Sequence, residues 1–149
     1  MKNMNQALLI CIIVCFSFTS KAQVLSSAKP SLFSSAASTF QATIPELDKA
    51  FTASVGSTVQ FNFSNKFTFS GTIVSSVQRY GKLSSIIITS PSLHNTLMSV
   101  SKRINDDNSI SYIGRILNEG YADGYELKKT SDGNYAFHKI RTEELIQDY

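Results

Sequence analysis

From Ser57 onward, apolar and polar residues alternate with a period of two. Val59, Phe61 and Phe63 are interleaved with Thr58, Gln60 and Asn62. After Ser64-Asn65 the alternation runs on through Phe67, Phe69, Gly71, Ile73, Ser75 and Val77. That period sends successive side chains to opposite faces of a strand, and two such runs across a tight turn predict an antiparallel hairpin. Arg79-Tyr80-Gly81-Lys82 reads as a turn. Ile86-Ile87-Ile88-Thr89 is β-branched and continuously apolar, which fits a central strand. Leu97–Ile104 and Ser109–Leu117 read as strands joined by the Asn105-Asp106-Asp107-Asn108 turn. Tyr125–Lys129 pairs with Tyr135–Ile140 across Ser131-Asp132-Gly133-Asn134, where Asp-Gly between apolar runs marks a hairpin.

Before Ser57 the period is helical. Leu47, Ala50, Phe51 and Val55 form one apolar stripe. Thr43 and Glu46 have the spacing of a capping box, Pro45 falls in the first turn, and Gly56 is placed to end the helix. At the other end, Thr142 can cap a short closing helix, with Glu143 and Glu144 in its first turn. Together these elements predict an α+β, mostly β fold. It is an antiparallel meander of six or seven strands, strongly curved, with the Leu47/Phe51 helix packed on one side.

The amino-terminal 22 residues follow another pattern. Lys2 precedes a 12-residue apolar run, Ala7–Phe18, and Ser20 and Ala22 stand at −3 and −1 of a cleavage point. This is the three-part layout of a secretory signal peptide, and the run is short for a membrane span of about 20 residues. Cys11 and Cys15 lack the preceding small residue that lipidation prefers. Residues 23–42 read as a Ser/Ala-rich leader: Ser26–Ser38 holds six Ser and three Ala without periodicity. Residues 43–149 are expected to form a single globular domain. The expected location is secreted or periplasmic, with no stable membrane span after cleavage.

Cleavage changes the chemistry available. The 149-residue chain has a formal charge of +3, two Cys and two His. Gln23–Tyr149 would keep neither Cys, so disulfides, thiol nucleophiles and thiolate ligands are excluded. Without Lys2 and Lys21 the charge falls to near +1, too little to argue for nucleic acid. The basic doublets Lys102-Arg103 and Lys128-Lys129 are isolated.

No motif carries catalysis. His94 and His138 alone cannot complete a three-ligand zinc site, and no His-Glu-x-x-His motif occurs. Gly-x-Ser-x-Gly, Gly-x-Gly-x-x-Gly and the P-loop are absent. Asp106-Asp107-Asn108 lacks the Gly and Glu of a calcium loop. Asp123, Glu126, Glu143 and Glu144 lie beside turns or a helix start, where acidic residues serve local structure. Asn62-Phe63-Ser64 matches a glycosylation sequon. The chain is therefore read as noncatalytic, with no cofactor and no metal. A small hydrolase using His94 or His138 is the alternative that the two His residues leave open.

Aromatic residues are the distinctive content. The same-parity Phe residues are expected in the core. Tyr121, Tyr125 and Tyr135, near turns, are the candidate binding residues, on the expectation that they cluster at the surface. The predicted partner is an unidentified extracytoplasmic protein.

Phe69-Ser70-Gly71-Thr72, Tyr112-Ile113-Gly114-Arg115-Ile116 and Tyr125-Glu126-Leu127 resemble segments of the propeptides that precede secreted zinc metalloproteases of the reprolysin type. The resemblance covers about half the chain, and its motifs are short. No protease domain follows in this sequence, and the inhibitory Cys of many such propeptides is missing. The resemblance implies a stand-alone propeptide-like module that masks or chaperones a secreted protease.

Overall fold

The computed structural model describes residues 29–64 and 67–146. The signal sequence read over 1–22, its cleavage point and both Cys lie outside the described residues. Within them the chain forms one eight-stranded antiparallel sheet and one α-helix. The elements are β1 (Thr39–Ala42), α1 (Ile44–Thr52), β2 (Thr58–Ser64), β3 (Phe67–Arg79), β4 (Leu83–Ser90), β5 (Thr96–Ile104), β6 (Ile110–Leu117), β7 (Asp123–Lys129) and β8 (Tyr135–Arg141). Short 3-10 turns follow at Pro91–Leu93 and Thr142–Ile146, the latter in place of the closing helix. No helix among the described residues is long and apolar enough to cross a membrane.

Strands β2 to β8 follow one another as a meander. The exception is β1, which pairs with β8, so the spatial order is β1-β8-β7-β6-β5-β4-β3-β2. The sheet curls into a half-barrel that brings its two edges together. Phe40 of β1 stacks on Phe67 at 4.4 Å between ring centroids and lies 5.5 Å from Phe63. Inside the curl are Phe61, Phe69, Ile73, Ile86, Ile88, Met98, Val100, Ile116, Tyr125 and Phe137, all buried. The inner stripe of α1, Leu47 and Ala50, completes this core against β2 and β4.

Neighbouring strands come close at three glycines, Gly71, Gly114 and Gly124. A Cβ at Gly71 would sit 2.3 Å from the Thr89 carbonyl oxygen of β4, and one at Gly124 would sit 2.5 Å from the Ile116 carbonyl oxygen of β6. Only glycine fits where one strand crosses another this tightly.

The strand count is eight, not six or seven. The additional strand is β1, which offers only two inward residues, Phe40 and Ala42, too few to register as a period. The stretch read as a leader joins the fold from Pro30 onward, where the Pro30 carbonyl accepts the Ala122 N–H at 2.8 Å. Phe33 is buried and packs edge-on against Tyr125 at 5.0 Å.

The helix also begins and ends differently from expectation. Thr43 makes no side-chain cap, and Glu46 instead accepts a 3.1 Å bond from the Asn62 N–H and pairs with Lys49. The carboxylate thus satisfies an edge donor of β2 rather than its own helix start. Ala53 is the C-cap. Gly56, at φ +88°, turns the chain into β2, donating its N–H to the Ile73 carbonyl at 2.8 Å. Val55 is 58% exposed and lies outside the stripe.

Candidate functional site

The three tyrosines do not form an exposed cluster. Tyr125 and Tyr135 share the inward parity of Leu127 and Phe137, and they are 0% and 2% exposed. The Tyr125 hydroxyl donates to the Ala37 carbonyl at 2.7 Å. Burial, with the nearby Asp123 charge, pushes its pKa up to about 12. The Tyr135 hydroxyl accepts from the Tyr112 N–H at 3.1 Å. Tyr112 in turn donates to Asp48 at 2.8 Å, and burial followed by that bond raises its phenol far above the ordinary range. These hydroxyls are fixed structural partners. Tyr121 is half-buried in the turn before β7, 5.9 Å from the His94 ring.

The ionisable candidates likewise serve the fold. Buried Asp123 accepts from Leu32 N–H at 2.7 Å, from Phe33 N–H at 3.0 Å and from the Ser31 hydroxyl. Lys139 holds the same segment from the other polarity, donating to the Phe33 and Ala36 carbonyls at 2.7 and 2.8 Å. Glu126 lies between Arg115 (3.1 Å) and Lys128 (3.2 Å). Burial alone would raise its carboxyl, but the hydrogen bonds and charges of these two cations outweigh it and hold the carboxyl low. Glu143 pairs with Arg141 at 3.1 Å, and Glu144 is exposed near Lys139. His138 lies 3.3 Å from the Thr39 hydroxyl through Nδ1. Among the described residues, no three metal-ligating side chains gather.

The outer face of the sheet is where apolar surface is left over. In β3 to β6 the outward residues form cross-strand rows. One row is Val77, Ser85, Ser101 and Ile113, and another is Ser75, Ile87, Ser99 and Arg115. Ser85 and Ser101 share a 2.7 Å hydrogen bond across the two strands. Val77, Ile87, Leu97 and Ile113 are exposed, Ile113 at 68%. The apolar run of β4 therefore buries only Ile86 and Ile88. No described element packs over Ile87.

Beyond the helix-covered core the sheet extends into a tip where residues 76–79 of β3 and 103–104 of β5 are exposed on both faces, while Leu83, Ser84 and Ser85 of β4 are half-buried. At its end Tyr80 turns the chain at φ +53° and is 97% exposed. A shallow groove of about 480 Å³ lies beside it, lined by Tyr80, Leu83, Arg103, Ile104 and Ile113 among others. The sequence reading took Arg79–Lys82 as a plain turn and missed this surface. The available signal was parity: once Ile86, Ile88, Met98 and Val100 are assigned inward, Ile87, Leu97 and Ile113 must face out.

Compared with known protein families, with curated proteins and with solved structures, the chain shows no match.

Proposed function

We propose that this chain is an exported, noncatalytic β-rich domain that binds another protein through the outer face of β3 to β6. The observation that carries the reading is the exposure of Val77, Ile87, Leu97 and Ile113, spread over three neighbouring cross-strand rows of the outer face, on a sheet whose inner face is already filled. Exposed apolar side chains interspersed with small polar ones on one sheet face are the physical character of an interaction site. Export rests on the residue pattern of 1–22. The test is affinity capture from the native extracytoplasmic fraction with the wild-type protein and with Ile113→Asp in parallel, with amino-terminal sequencing of the bait. The expected result is a partner recovered by the wild type and lost with the variant. Equal recovery by both, or repeated recovery of nothing, would count against it.

A second reading, the stand-alone propeptide-like inhibitor or chaperone, draws on one observation. The resembling segments Tyr112–Ile116 and Tyr125–Leu127 lie in neighbouring strands, with Gly114 opposite Leu127 and Ile116 opposite Tyr125. Purified protein that leaves every co-secreted protease activity unchanged would remove this reading.

A further inference from the structure

We infer that the partner presents a carboxylate-bearing, otherwise apolar segment to the end of this face, where Arg79 and Arg103 flank Leu83. The inference rests on the binding reading above and specifies the chemistry of what binds.

The geometry begins with register. Leu83 of β4 stands opposite Arg79 of β3 and opposite Arg103 of β5, so all three share one cross-strand row. With strands about 4.8 Å apart, the two Arg backbones are roughly 10 Å from each other, with an aliphatic side chain between them. Both arginines are exposed, and neither makes an ion pair among the described residues. Neighbouring cations on these strands and their turn are occupied: Lys82 by Asp106 at 3.0 Å, Lys102 by Asp48 at 2.8 Å, and Arg115 by Glu126. The remaining carboxylate of the neighbouring turn, Asp107, accepts both the N–H and the hydroxyl of Ser109. Asp106 lines the same groove but pairs with Lys82, so the two guanidinium groups stand in one row without an ion-pair partner of their own among the described residues.

Their surroundings select the partner. The adjoining groove sets Tyr80, Leu83, Ile104 and Ile113 beside the two arginines and the Lys82–Asp106 pair, so a bound segment would meet apolar surface as well as positive charge. Guanidinium forks bind carboxylates in pairs of hydrogen bonds, and Arg with Tyr is the side-chain set that dominates binding energy at protein interfaces. A basic segment would meet two like charges in the same row and be rejected. A nucleic-acid backbone fits less well. It would need a continuous basic track, whereas the next rows are Val77, Ser85, Ser101, Ile113 and then Ser75, Ile87, Ser99, Arg115, whose one cation is paired with Glu126.

The test uses the purified protein and defined probes. Amide chemical shifts are followed by NMR during titration with the peptide acetyl-Glu-Leu-Glu-Val-Glu-amide, with its Lys-for-Glu counterpart, and with inorganic phosphate. The acidic peptide is expected to move the amides of Arg79, Leu83, Arg103 and Ile113. Its affinity should fall at least about fivefold in Arg79→Gln/Arg103→Gln and again at high salt. Equal binding of the two peptides, equal perturbation by phosphate, or no shift at these residues at about millimolar peptide would overturn the inference. The same capture experiment separates the two claims. A partner lost with Ile113→Asp but kept with Arg79→Glu/Arg103→Glu overturns the acidic specificity and leaves the binding reading standing. A partner kept with both variants overturns both. Self-association abolished by the same changes would assign the face to a second copy of this chain and overturn the inference as well.

Discussion

Asp123 shows how much one side chain can organise. Its buried carboxylate gathers two backbone N–H groups and a hydroxyl from Ser31, Leu32 and Phe33. Removing it would leave those donors facing a partnerless site. Asp123→Ala is expected to cost about 2–4 kcal/mol in urea unfolding and to speed hydrogen exchange at Leu32 and Phe33. Unchanged exchange there would show that the segment is held by other contacts. Asp132, in the β7–β8 turn, works on a different axis. Hydrogen bonds from Thr130 and Asn134 lower its pKa from 3.8 to about 2. A carboxyl depressed on folding stabilises the folded state above its unfolded pKa, and that stabilisation is lost as pH falls through the folded value. The turn is therefore expected to loosen between about pH 4 and pH 2. Amide exchange at Asn134 should rise in that window for the wild type and show no such step in Asp132→Asn.

At the scale of elements, seven of the eight strands were legible because each buries one face, and burial on one face writes a period of two into the sequence. Strand β1 was not legible, since Phe40 and Ala42 give the pattern only two beats. The capping box was misleading for a related reason: its spacing is local, while the Glu46 carboxylate is claimed by Asn62, sixteen residues away. The tyrosines failed as surface residues because proximity to a turn says less than parity. Tyr125 and Tyr135 are in step with Leu127 and Phe137, and that decides their burial. The proposed docking face became visible only when strand register showed which apolar residues had no inner place to go. The curl itself gives a test. Gly71→Ala would drive a Cβ against the Thr89 carbonyl, where backbone has to move. A loss of about 2–3 kcal/mol is expected. Thermal unfolding would detect it, and a value near zero would mean β3 and β4 can part without cost.

Across the whole molecule, the half-barrel is held shut by its two sequence-distant edges. Phe33, Phe40 and the Lys139 contacts come from the amino-terminal segment and close over Phe67, Tyr125 and Phe137. Deleting residues 29–42 would leave β8 as an open edge and uncover the aromatic core. That deletion is expected to aggregate on purification, and light scattering of a soluble, monomeric product would refute the closure argument. The pairing of Phe40 with Phe137 has a consequence in time. Strand β1 is made first among the eight, yet its only ladder partner is made last. Every other neighbouring pair can form as the chain emerges, but this one must wait for residues 135–141 and then close a loop of nearly the whole domain, the slowest kind of contact to find. The first strand in the chain is thus the last to be seated, and until then the molecule remains an open sheet that has not chosen its inside.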